Sequence, residues 1–428
     1  MKTATESAQR AEHGPESPFT AMMAEFDAAA AALGIAPSVY GILRAPDREV
    51  SVSLPIVLDD GSFKVLTGYK VQHNQGLGPF LGPLLLKPGI GLDELRALAG
   101  WMTWECALLG IPFGGSAGGI PIDPLQMSRG EVERAIRRYT AGLLDLIGPE
   151  RDIFMPDTGT DSGVMAWIMD TVSMHLRHTE NAVVAGKPLA LGGTLGSEDA
   201  GARGLLVVLE HALAHYSLPT QGARILIQGA GRVGGNAARL LHARGHKVCG
   251  LADENGALYD ANGLDVPSIL DARTANRYIS QIEGAFEHLS LEQLVAKPCD
   301  VLLPCAVANT ITAKNAANVQ ARLIVEGAHG PVSLPADEIL AKRDVPVVPH
   351  ILSNGGGVVS AYIEWVQNRQ GLAWQADRVD KDMNYFMSEA WKAVVAHAQD
   401  RKLRLRKAAH QLAVMRVAHG SNLRGLYA

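Results

Sequence analysis

The run EVSVSLPIVL at Glu49–Leu58 alternates, with Val50, Val52 and Leu54 apolar and Ser51 and Ser53 polar. That period of two predicts a strand with one buried face. A second run, SFKVLTGYKVQ, follows at Ser62–Gln72, and Asp60-Gly61 between them predicts a hairpin turn. Upstream, AMMAEFDAAAAALG predicts a helix ending near Gly34. In DELRALAGWMTWECALLG the period changes. Leu92, Leu95, Ala99, Met102, Cys106 and Leu109 recur at three-and-four spacing, which predicts a helix with an apolar stripe, helped by Asp93 at its start and stopped by Gly110. Glu105 falls on a face of that helix with Leu98, Trp101 and Leu108, so its carboxylate should be partly desolvated. The glycine-rich PFGGSAGGI at Pro112–Ile120 reads as a loop, and helical text resumes from Glu131 to about Leu146.

From Lys187 the text changes to strand, glycine turn, helix and strand in GARILIQGAGRVGGNAARLLHARGHKVCGLAD, the opening of a parallel sheet. Further strands are expected at DVLLPCAV, ARLIVEGA and VPVVPHIL; after Tyr362 the chain reads as helix to its end. The expected fold is therefore α/β with two domains. A polar tail spans 1–17, an N-terminal α/β substrate-type domain 18–185 and a Rossmann-like dinucleotide-binding domain 186–355. C-terminal helices, 356–428, return to the first domain.

Composition narrows the class. A chain of 428 residues, 47% hydrophobic and 19% charged, can bury more than one core. A net charge of -5 gives no footprint for nucleic acid or an anionic membrane. The start is polar, no run approaches a membrane span, and the four cysteines lack CxxC spacing, so a reduced, cytoplasmic setting is expected.

Gly229-Ala230-Gly231-Arg232-Val233-Gly234 fits GxGxxG directly after the apolar run Ile225–Ile227 and at the start of a helix. The first glycine permits the tight turn, the second lets backbone reach a pyrophosphate, and the third lets helix pack on strand. Asp253, 24 residues beyond Gly229, can meet a ribose hydroxyl, with Glu254 as a rival. Two readings stand: the turn binds NAD(P), or its glycines survive for packing after the ligand was lost.

Several motifs together carry a resemblance: VQHN at Val71–Asn74, MTW at Met102–Trp104, IPFGG and GGI within Ile111–Ile120, MPDTGTD at Met155–Asp161, GGTLGSEDAGARG at Gly192–Gly204, LPCAVANTIT at Leu303–Thr312, EGAHGP at Glu326–Pro331 and SNGGGVVSAYIEWVQN at Ser353–Asn368. In this order they resemble the glutamate/leucine/phenylalanine/valine dehydrogenase family, glutamate branch. That resemblance implies two domains around a cleft, hydride transfer between NAD(P) and an amino acid, and a hexamer. Asp157 matches the family's catalytic aspartate, and Asn309 a cofactor-loop position.

The resemblance also exposes departures. The family's lysine for the side-chain carboxylate is Leu81, its α-carboxylate lysine is Glu105, and the lysine that polarises the reacting bond is Ala117. Two family arginines fall at Leu77 and Leu85, a glycine at Pro83, the substrate-contacting serine at Ala361 beside Ser360, and the threonine near the nicotinamide at Gly201. A general acid–base group contributes about 10²–10⁴-fold, and alanine at 117 supplies none. Glu105 would repel a carboxylate that lysine attracts.

Single losses have bland readings. Leu81 alone suits an apolar substrate, Glu105 alone a surface change, and Lys87 can stand in for a missing lysine. Together they imply a chain resembling the regulatory subunit of a hetero-oligomeric bacterial glutamate dehydrogenase, partnered by a catalytic sister chain. Leu77, Leu81, Leu84 and Leu85 either line a pocket for an apolar amino-acid effector or fill vacated space. Two other readings remain: an active NAD(P)-dependent amino-acid dehydrogenase with an altered site, and a stand-alone amino-acid sensor. No metal site is expected.

Overall fold

The computed structural model describes residues 17–275 and 278–425; the expected tail lies outside it except for Ser17. Ser17 is the N-cap of helix α1 (Pro18–Leu33), its side chain accepting the Thr20 N–H, and Gly34 closes the helix in the left-handed conformation. The chain divides into two compact units. Among the described residues the first comprises 17–197, 358–382 and 410–425, and the second 198–357 and 383–409. No helix among the described residues is long and apolar enough to cross a membrane.

In the first unit, strands β1 (Arg48–Val57), β2 (Phe63–Asn74), β3 (Phe80–Leu86), β4 (Gly114–Ile120) and β5 (Asp152–Pro156) form one sheet in the order β1-β2-β4-β3-β5. The β1–β2 hairpin turns at Asp60-Gly61. Gly61 has φ +83°, and the Asp60 carboxylate accepts the Ser62 N–H. Leu54 and Ile56 are buried while Ser51, Ser53, Pro55 and Val57 are exposed, so the alternation holds. Helix α2 (Leu92–Leu109) begins at Gly91, carries Asp93 and Glu94 in its first turn and ends at Gly110. It is not the one-striped helix its spacing suggests: Leu95 and every residue from Ala97 to Leu109 are buried. Helix α3 (Arg129–Gly142) opens with a Ser128/Glu131 capping box and stops four residues before the expected end, and helix α4 (Ser162–Leu176) follows β5.

The glycine-rich segment is not a loop but strand β4, paired with both β2 and β3. Glycine is poor in strands, yet here side chains have no room. A Cβ on Gly115 would lie 2.2 Å from the Ala99 carbonyl oxygen and the Thr103 nitrogen of α2. On Gly118 it would lie 2.4 Å from the Tyr139 hydroxyl of α3. Helices therefore press on the sheet from both faces: odd-numbered β4 residues meet α2, even-numbered ones the core around Tyr139 and Phe154.

In the second unit, helix α5 (Ala200–His215) precedes strand β6 (Arg224–Gln228), helix α6 (Arg232–Ala243), and strands β7 (Lys247–Asp253), β8 (Gly256–Tyr259), β9 (Glu287–Leu289), β10 (Cys299–Pro304), β11 (Ala321–Val325) and β12 (Val347–Val348). Their order is β12-β11-β10-β6-β7-β8-β9, parallel from β12 to β7 and antiparallel beyond. Chain order reverses between β6 and β10, which makes the carboxyl end of β6 the topological switch point. After helices α7 (Leu334–Lys342) and α8 (Gly356–Gln370), the chain ends in α9 (Ala376–Arg401) and α10 (Leu405–Arg424), helical as expected; Val358–Asp382 and His410 onward return to the first unit.

Candidate functional site

Strand register places two of the three positions that the family resemblance singled out, Leu81 and Ala117. Leu81 of β3 pairs with Gly115, and Ala117 of β4 pairs with Val71. Paired residues share a face, so Leu81 and Ala117 both lie on the α2 face of the sheet; Glu105 stands on α2 itself, about 200° round the helix from Thr103, which meets that sheet. Leu81 and Ala117 are 0% exposed and Glu105 1%, which takes Glu105 beyond partial desolvation. Burial, with Glu105 beside it, pushes the neighbouring Cys106 thiol far up.

The buried cation of this sheet lies on the other face. Lys70 of β2 pairs with Gly118. Its Nζ donates to Ser116 Oγ at 2.9 Å and lies 3.0 Å from Asp152 Oδ1 and 4.0 Å from the centre of the Phe154 ring. Ser116 Oγ donates to Asp152 Oδ1 at 2.8 Å and Gln72 Nε2 to Asp152 Oδ2 at 2.7 Å. Burial pulls the Lys70 ammonium below its usual value, opposed by Asp152. Lys70 therefore points away from the face that carries Ala117. Lys87 is engaged too: its Nζ is bonded to both carboxylate oxygens of Glu94, at 2.8 and 3.0 Å.

The four leucines do not form one pocket. Leu85 shares the α2 face with Leu81, because it pairs with Gly119. Leu84 pairs with Gly118 and packs in the opposite core with Phe154. Leu77, half-buried in the β2–β3 connection, lies where a Cβ on Gly420 would meet it at 2.8 Å. Pro83 is buried in β3. Asp157 stands just past β5, half-buried, and its Oδ1 accepts the Thr158 N–H at 2.7 Å. Ala361 and Ser360 are buried in α8.

Sequence reading missed the buried charge pairs. Besides Lys70–Asp152, Lys187 Nζ lies 2.6 Å from Glu364 Oε1, both side chains fully buried, and Glu364 Oε2 accepts the Thr194 N–H. In the second unit Arg406 bridges Glu326 at 2.7 Å and Asp337 at 3.1 Å. The signal was a charged residue inside an apolar run, as in GYKVQ, but the partners are far away in sequence.

His73 of β2 is also buried, with Nδ1 2.9 Å from Thr103 Oγ1 of α2. Burial lowers its pKa to about 4. Its ordinary value is about 6.5, so the folded chain holds it neutral. Stability is complete above about pH 6.5 and declines as pH falls toward 4, because the unfolded chain takes the proton first. Between pH 7 and 4.5 this amounts to about 2 kcal/mol. Urea unfolding at both pH values should show that difference shrinking by this amount in His73→Leu.

At the switch point of the second unit, Gly229 has φ +105°, and a Cβ there would stand 2.7 Å from the Ala306 nitrogen. A Cβ on Gly234 would meet the Gly229 carbonyl oxygen at 1.9 Å, whereas one on Gly231 meets nothing within 4 Å. Gly231 is the N-cap of α6, and Arg232 begins the helix, exposed, with Val233 half-buried. The Ala230 carbonyl accepts a bond from Arg273. Asp253, at the end of β7, is buried; its oxygens accept the Asn255 N–H at 2.9 Å and the Ile279 N–H at 2.6 Å. Glu254 beside it is exposed. Asn309, after β10, has φ +58° and donates its N–H to the Gly330 carbonyl. Gly201 lies in α5, where a Cβ would stand 3.2 Å from Val233 Cγ2.

A two-sheet architecture with this glycine turn marks a nucleotide-binding class of α/β protein, and the chain belongs to the Glutamate/Leucine/Phenylalanine/Valine dehydrogenase family, whose model matches residues 192–425, with its dimerisation domain matching 46–174. Within it the similarity is to glutamate dehydrogenases. The chain is 39% identical to the catabolic NAD-specific glutamate dehydrogenase RocG of Bacillus subtilis, covering 92% of each, and 40% identical to glutamate dehydrogenase B of Halobacterium salinarum, covering 99% of this chain and 98% of that one. Its fold matches a hetero-hexameric glutamate dehydrogenase from Thermus thermophilus, Leu-bound form, with TM-score 0.93, 38% identity, and coverage of 97% and 99%.

Proposed function

We propose that this chain is a catalytically deficient glutamate dehydrogenase homologue that serves as the regulatory subunit of a hetero-oligomer, assembled in a hexamer with a lysine-complete sister chain in the cytoplasm. The observation that carries the reading is the α2 face of the first sheet. Leucine and alanine stand there at two of the three lysine positions, glutamate holds the third on α2 itself, all three are buried, and Lys70 and Lys87 are engaged elsewhere. Asp157 remains, its Oδ1 accepting the Thr158 N–H of its own turn. The likeness to a hetero-hexameric assembly supports the partnership. Tagged chain from its native host should co-purify with a homologue bearing all three lysines; recovery of this chain alone would overturn the reading. An apolar amino acid such as leucine as effector is part of the proposal, because the similar assembly is a Leu-bound form. Calorimetry with leucine on the mixed assembly tests it.

NAD(P) binding is proposed as retained. Packing accounts for Gly229 and Gly234 but not for Gly231, whose open face at a helix N-terminus suits a pyrophosphate. Gly231, Arg232, Val233 and the α6 amides would hold the phosphates. The ribose falls to Glu254 in preference to Asp253, whose oxygens already hold two backbone amides. The cofactor, when bound, is the hydride carrier. NADH fluorescence should change saturably with the wild-type chain and not with Gly231→Leu; no saturable change with the wild type would refute retention.

A further inference from the structure

Strands β11 and β12 are parallel neighbours in the second unit, with Ile324 beside Val347 and Val325 beside Val348. Each chain segment runs on past its strand to a histidine: His329 beyond Val325, and His350 beyond Val348. The two stand 21 positions apart in the sequence, so no ligand-spacing rule joins them and no metal site was expected. In the fold their rings lie 5.6 Å apart, edge to face at 80°. A ring nitrogen of each lies within 4.8 Å of one on the other. His350 has no exposed surface, and His329 is half-buried. One buried carboxylate fixes both backbones. Glu326 opens the loop that carries His329, and its Oε1 accepts the Val332 N–H beyond that loop at 3.2 Å. Its Oε2 accepts the His350 N–H at 2.7 Å. The Ser353 hydroxyl donates to the Glu326 carbonyl, which ties the short helix His350–Ser353 to the same point. Arg406, 2.7 Å from Glu326 Oε1, matches the charge of this clamp.

We propose that His329 and His350 together hold a divalent transition ion of the copper, nickel and zinc class. Imidazole nitrogen suits these ions, whereas magnesium and calcium take oxygen. The distance fits. Two metal–nitrogen bonds of about 2.0 Å span about 3.3 Å in a tetrahedral site and about 4.0 Å when opposed. The rings therefore close by less than about 1 Å for the opposed geometry, which side-chain rotation supplies without moving the clamped backbone. The clamp is what a ligand pair needs, since groups that orient the ligating residues govern much of the affinity. The place is also apt, because the carboxyl ends of parallel strands are the ligand-binding edge of an open α/β sheet. Water reaches half-buried His329 and completes the coordination, so the ion keeps exchangeable positions. The site rests neither on the loss of chemistry in the first unit nor on retention of the cofactor.

Calorimetry on the untagged full chain at pH 7 with Cu(II), Ni(II), Co(II) and Mg(II) tests it. Binding should be tightest for Cu(II), weaker for Ni(II), weaker again for Co(II), and absent for Mg(II). His329→Phe and His350→Phe each keep an aromatic ring in place and remove the nitrogens. Each should weaken Ni(II) by at least about tenfold. If His350→Phe does not fold, His329→Phe, at the half-buried position, decides. Electron paramagnetic resonance of the Cu(II) complex should show coupling to two imidazole nitrogens in the wild type and to one in His329→Phe. The chain has 14 histidines, so this comparison separates the proposed pair from scattered surface ligands. The proposal fails if neither Cu(II) nor Ni(II) gives saturable heat up to about 1 mM. It fails equally if His329→Phe binds Ni(II) as the wild type does, or if the Cu(II) spectrum is the same in both.

Discussion

Purified alone and supplied with glutamate and either nicotinamide cofactor, the chain is expected to turn over at least about 10⁴-fold more slowly than a lysine-complete relative. That factor corresponds to about 5.4 kcal/mol of transition-state stabilisation. Two deficits contribute. Ala117 offers neither a proton nor a positive charge where oxyanion character develops, and preorganised charge is the larger part of such stabilisation. On the proposed reading Glu105 reverses the sign at the α-carboxylate position, and like charges at about 4 Å repel by roughly 1 kcal/mol in water and roughly 4 kcal/mol at an effective dielectric of 20. Absorbance at the reduced-nicotinamide band, with chain free of any companion, is the measurement. A rate near the ordinary enzymatic value of about 10 s⁻¹ would end the regulatory reading. It would favour an active dehydrogenase with an altered site.

The second large effect concerns stability. Lys70→Met should cost about 3–5 kcal/mol, because Asp152 would be left charged and fully buried with only Ser116 and Gln72 to bond it. Adding Asp152→Asn to Lys70→Met should recover more than half of that loss, since no charge then remains unpaired. Denaturant unfolding of the two variants checks both statements. Equal stability for Lys70→Met and the wild type would show that the pair contributes nothing.

Much of the architecture was legible because it rests on local rules. The alternation of Val50, Val52 and Leu54, the Asp60-Gly61 turn and the strand–turn–helix text around Gly229 each state their structure within a dozen residues. What failed depends on distant neighbours. Gly114–Ile120 reads as a loop because glycine favours loops, and only the pressure of α2 and Tyr139 from opposite sides makes those glycines a strand. The leucines at 81, 84 and 85 look like one patch in the text, but strand geometry sends Leu84 the other way. The partner of Lys70 is 82 positions away, beyond the reach of any spacing rule. At the candidate site the identities of the substitutions and the desolvation of Glu105 were readable, while the face that Leu81 shares with Ala117 and the completeness of the burial were not.

The closure of the α2 face also bears on history. An ammonium placed alone at Leu81 or Ala117, both without any exposed surface, would have to give up its water on entering the fold. Each backward step taken singly should therefore weaken the fold before it helps any chemistry. On the proposed regulatory reading this acts as a ratchet: catalysis returns only through changes at several buried positions together, and selection acts on the assembly in place of the single chain.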